Sequence, residues 1–84
     1  MAHRVAGKVN MLYVDTGHCY IRLTGATDVP RDGYFELRQS HQNYNALYSL
    51  ALAAAINGYT LEIRTIGEID PTKYSGVSYM VVHW

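Results

Sequence analysis

The chain of 84 residues has one cysteine, two prolines and few charges. With Cys19 alone, no disulfide can form within the chain. Strand-forming apolar residues surround it, which marks an inert buried thiol rather than a nucleophile. Charged residues make up only 17%, seven basic against seven acidic. That scarcity excludes the usual composition of disordered chains, and the balance speaks against nucleic acid as a partner, since a basic face is missing. No apolar run approaches the ~20 residues of a membrane span. Met1-Ala2-His3-Arg4 lacks the apolar stretch of a signal peptide, leaving two readings: a cytoplasmic protein, or a chain that starts after a removed signal.

Chemistry-bearing constellations are scarce too. His3, His18, His41 and His83 include no i, i+4 pair, so metal-ligand spacing is absent. His18 and Cys19 are adjacent in a strand pattern and point to opposite faces. No serine sits in a Gly-x-Ser-x-Gly elbow and no glycine-rich phosphate loop occurs. The sequence predicts a non-enzymatic protein with no metal and no cofactor.

What is present is β-pattern, tyrosine and one uncharged helix. Val5–Val14 reads as a strand, with Val5, Val9 and Met11 on one parity. Asp15-Thr16-Gly17 signals a turn into a second strand, 18–24, making a hairpin. A loop over 25–33 contains Asp28, Pro30 and Asp32. A short third strand follows at 34–37. Asn43, or alternatively Ser40, caps a helix over 44–57, and Gly58 stands where a C-terminal cap glycine would. Thr60–Ile66 alternates, with Leu61, Ile63 and Thr65 on one face. After a loop through Asp70-Pro71, 77–84 forms the last strand. The order β-β-β-α-β-β in a single domain, 1–84, is that of a mainly β fold with one helix. It predicts an OB-fold, a five-stranded Greek-key barrel.

The helix carries no Lys, Arg, Asp or Glu. One stripe holds Leu47, Leu50, Ala51 and Ala54, and a second holds Tyr48, Leu52, Ala55 and Ile56. A helix apolar on most sides is normally buried on most sides, and so short a chain has little with which to wrap it. Outer alanines facing water are the plain alternative. The reading adopted is that Tyr48, Leu52, Ala55 and Ile56 meet another copy. A heterologous contact repeated around an axis closes into a ring.

Leu47-Tyr48, Ala51-Leu52 and Gly58, continuing into Leu61-Glu62-Ile63-Arg64, resemble the helix-to-strand segment of the subtilase-cytotoxin and pertussis-like toxin B subunits. Gly7-Lys8-Val9 and Cys19-Tyr20-Ile21 fall where that family has comparable segments. The resemblance implies an OB-fold, a homopentameric ring, cell-surface glycan binding, an A-chain partner and an exported, secreted or periplasmic location. Two family glycan contacts, a serine and a tyrosine, are replaced here by Ala6 and Thr65, and the family's disulfides have no counterpart. Fold and assembly therefore transfer better than ligand.

Aromatic faces beside arginine suit a sugar, whose ring has an apolar face and polar edges. Tyr13, Tyr74 and Trp84 are the candidate stacking residues. Arg22 and Arg64 are the candidate donors, with Thr65 at the family's tyrosine position. For each, the competing reading is a cross-strand packing residue or a solvated face. Two other functions stay open: a ring that assembles without a glycan, and an OB-fold that binds single-stranded nucleic acid.

Overall fold

A computed structural model describes residues 4–25 and 30–84. Asp28 and His3, both singled out above, lie outside the described residues. Five strands and one main helix follow in the order β1 (Arg4–Asp15), β2 (His18–Thr24), β3 (Phe35–Arg38), α1 (Tyr44–Asn57), β4 (Thr60–Thr65) and β5 (Ser75–His83), with a short helical turn at Arg31–Gly33 between β2 and β3. The strands form one sheet that closes into a ring, β1-β2-β3-β5-β4 and back to β1. All pairings are antiparallel except β3 with β5.

Alternation explains the interior. Leu61, Ile63 and Thr65 of β4, Cys19, Ile21 and Leu23 of β2, and Phe35 and Leu37 of β3 all point inward and are buried. The helix adds Leu47, Ala51 and Ala54, one stripe at i, i+4, i+7. It ends where the sequence predicts. Gly58 adopts φ 67°, and its N–H bonds the Ala54 carbonyl. The start differs in mechanism. Asn43 occupies the cap position but its side chain makes no capping bond. Its backbone N–H instead donates to His41 Nδ1 (3.0 Å). No helix among the described residues is long and apolar enough to cross a membrane.

β1 departs from its simple alternation. It pairs with β4 through Lys8 and with β2 from Lys8 onward, and its register slips between Val9 and Met11. The extra residue, Asn10, reverses the inside–outside order. Val9 and Leu12 pack on the core, whereas Met11 turns outward to take a hydrogen bond from the Tyr34 hydroxyl at 3.4 Å. The expected shared face of Val9 and Met11 is thus corrected. Gly7 sits where β1 passes between both partners: a Cβ there would strike the Thr24 carbonyl oxygen and come within 3.3 Å of Leu23 Cβ.

β3 and β5 are each displaced from their expected spans. Phe35 and Glu36 pair with Ser75 and Gly76, which draws the start of β5 back to Ser75. Those two pairs are the whole β3–β5 ladder. Beyond them, His41 Nε2 reaches the Ser78 carbonyl at 2.8 Å. Because Nδ1 accepts from Asn43, the proton sits on Nε2, which donates to Ser78.

Cys19 is fully buried, and burial raises its thiol from 9.0 to about 11. A group that holds its proton more tightly when folded favours the folded state fully below its unfolded pKa. Stability is therefore expected to fall as pH rises from about 9 toward 11. Cys19→Ala should flatten that slope in urea titrations run at each pH; an unchanged slope would remove the thiol as its source.

Candidate functional site

The hairpin turn sets the first half of the site. With Thr16-Gly17 as a two-residue loop and Gly17 at φ 81°, Asp15 faces His18 and Tyr13 faces Tyr20. Tyr13 and Tyr20 stack with ring centroids 5.0 Å apart. Tyr34, immediately before β3, meets both rings edge-on at 5.6 and 5.9 Å.

The fourth ring arrives from the β4–β5 loop. Asp70 organises that loop by accepting from the Thr72 hydroxyl (2.6 Å) and backbone N–H (2.8 Å). These bonds, the hydroxyl's first, hold its carboxyl below the usual range. Arg31 N–H then donates to the Lys73 carbonyl at 2.8 Å, pinning the loop beside the turn before β3. Tyr74 is thereby placed 5.5 Å from Tyr20 and 5.9 Å from Tyr34.

Two guanidinium groups complete the face. Arg22 lies over Tyr34 at 5.6 Å and Arg31 over Tyr74 at 5.5 Å. Arg22 is steadied by the bulge residue Asn10, whose Oδ1 accepts from its Nε at 3.2 Å. Partial burial, then the neighbouring tyrosines and Asp15, raises the Tyr13 hydroxyl pKa. Tyr20 is raised by partial burial first and then by Glu36. Both hydroxyls stay protonated at neutral pH and can donate and accept at once. Tyr13 and Tyr74 remain 39% and 38% exposed. The outer face of β1–β2–β3 thus offers four phenol rings, two cations and a partly open surface.

Of the sequence candidates, Tyr13, Arg22 and Tyr74 meet here. Arg64 does not. It lies on the β1–β4–β5 side, in one row with Arg4 and Tyr79. Thr65 is wholly buried and its hydroxyl donates to the Gly67 carbonyl, so it shapes a turn and presents nothing to a ligand. Trp84 is 92% exposed, with Tyr59 as its ring neighbour at 5.9 Å. Sequence reasoning missed Tyr20, Tyr34 and Arg31. The hairpin register alone places Tyr20 opposite Tyr13; the loop contact that brings Arg31 and Tyr74 together leaves no local signal.

The second candidate surface is the outer side of α1. Ile56 is 74% and Leu52 37% exposed, with Tyr48 and Ala55 half-buried beside them. Among the described residues, none covers Ile56 or closes over Leu52. Ala6 shares its cross-strand row with Glu62 and Val81, and Glu62 engages Arg4 (3.7 Å) and His83 (3.2 Å). Among the described residues, no group of three or more His, Cys, Asp or Glu could hold a metal.

No known protein family, curated protein or solved structure matches this chain.

Proposed function

We propose that the chain is a non-enzymatic binding subunit with an OB-type barrel, that copies of it close into a pentameric ring, and that each copy takes a glycan on the Tyr13–Tyr20–Tyr34–Tyr74 face. The gathering of four tyrosines and two arginines on the outer β1–β2–β3 surface carries this reading. In OB-folds, the face of the second and third strands and the loop before the fifth are where oligosaccharides and oligonucleotides lie. Phenol rings supply the apolar contact for a pyranose, and their hydroxyls with Arg22 and Arg31 supply its polar partners.

Assembly draws on the exposed apolar side of α1 and on the singly paired stretches of β1 and β5. Among the described residues, β1 pairs only with β2 after Lys8, and β5 pairs only with β4 after Gly76, where the Ser78 carbonyl also takes a bond from His41. Two such stretches on different strands suit head-to-tail joining. The resemblance to toxin B subunits adds export and an A chain to the proposal.

Tyr74→Ala tests the glycan site, because the ring is partly exposed and comes from a loop, so the fold should survive. Affinity for a glycan selected on an array should fall about 10- to 30-fold by calorimetry. An unchanged affinity would move the glycan elsewhere. A ring without a glycan ligand is the second reading, favoured by Ala6 and by the burial of Thr65. It predicts a blank array from a correctly assembled oligomer. The face also carries Asp15 and Glu36 near Tyr20, which speaks against a polyanion. Salt-dependent binding of single-stranded oligonucleotides would reverse that.

A further inference from the structure

A cleft of about 560 Å³ opens between the end of β3 and the start of α1, lined by Gln39, His41, Gln42, Asn43, Tyr44 and Asn45. Its size falls within the ~300–1,000 Å³ of small-molecule clefts. The stretch from Gln39 to Ala46 contains no Lys, Arg, Asp or Glu. Its backbone is fixed by successive bonds: His41 N–H to Arg38, Tyr44 N–H to His41 and Leu47 N–H to Asn43. The His41 ring is held at both nitrogens, by the Ser78 carbonyl and the Asn43 N–H. Tyr44 stacks on Tyr48 at 6.5 Å and gives the wall an aromatic surface.

We propose that this cleft is a second ligand site, separate from the tyrosine face, and that it takes a neutral, hydroxyl-rich ring such as a hexopyranose. Four residues with carboxamide side chains, Gln39, Gln42, Asn43 and Asn45, line it. Each offers a carbonyl acceptor and an NH₂ donor, the complement of a hydroxyl that must donate and accept together. An ionic ligand would find no opposite charge in the lining and would lose hydration without return. A neutral ring of hydroxyls exchanges water for amide partners and rests its apolar face on Tyr44. The cleft shares no residue with the tyrosine face or with the outer stripe of α1.

The experiment is an NMR titration of the ¹⁵N-labelled protein with free galactose, glucose and N-acetylglucosamine, with sialic acid and a nucleoside as separate arms. The expected result is shifts in the side-chain NH₂ signals of Gln39, Gln42, Asn43 and Asn45, saturating with a neutral sugar at about 1–10 mM. The exposed double variant Gln42→Ala/Asn45→Ala should weaken this response about tenfold or more, with the remaining spectrum showing an intact fold. Tyr74→Ala should leave it unchanged. No shifts with any neutral sugar, shifts unaffected by the double variant, or a response only to sialic acid or the nucleoside would each overturn the proposal.

Discussion

A chain carrying both Leu52→Asp and Ile56→Asp is expected to run as a monomer, and its binding to a glycan-coated surface to drop on the order of 10²–10⁴-fold. Both side chains are exposed on the outer face of α1. In the isolated fold the pair costs on the order of 1–2 kcal/mol, as an i, i+4 like-charge pair near the negative end of the helix, which circular dichroism of the variant checks. Between two copies the same carboxylates would be buried without partners, a cost of several kcal/mol that no contact on this uncharged helix offsets. Affinity for a single soluble glycan should remain, because Tyr13, Tyr20, Tyr34 and Tyr74 belong to other elements. Light scattering reads the mass, and surface binding set against calorimetry separates avidity from the intrinsic site. A wild-type mass of one chain, or an oligomer that survives the double substitution, would remove the helix as the assembly surface.

Phe35→Ala should produce the largest loss of stability, about 3–5 kcal/mol. A domain of this length has a total of only about 4–13 kcal/mol to lose. Phe35 is fully buried, and its backbone pairs with Ile21 on one side and Ser75 on the other. Removing the ring opens a cavity at the point where β3 joins β2 to β5. Tyr34 precedes it directly, so the tyrosine face should loosen with the core. Urea unfolding monitored by circular dichroism measures the loss. A value under about 1.5 kcal/mol would mean that the core repacks around the smaller side chain.

The elements with strong periodicity are legible in the sequence itself. The span from Tyr44 to Asn57 has helical spacing throughout and a glycine to end it, and the alternation of Leu61, Ile63 and Thr65 fixed the inner face of β4. Those signals are local: each residue reports on neighbours two to four positions away. The bulge at Asn10 was not legible, because an extra residue in a strand looks like any other polar residue until its partner is known. Thr65 shows a different limit. Its strand parity correctly put it inside, while its position in the family pattern suggested a ligand contact, and parity prevailed. Half of the tyrosine face follows from the two-residue turn, which sets Tyr13 against Tyr20. The rest requires Arg31 to bond Lys73 across the chain, a pairing that neither segment announces.

The two-pair ladder between β3 and β5 also bears on how the chain reaches its fold. Every other strand junction forms between antiparallel partners, whereas this one joins parallel strands with the helix and β4 between them in sequence. Bringing such distant segments together carries a loop-closure cost that few bonds return. With only two ladder pairs, this junction is expected to open first in partial unfolding. Proton exchange at the Ser75 amide, which donates to the Tyr34 carbonyl, reports this breathing, and any partner that lengthens the ladder acts as a clasp on this junction.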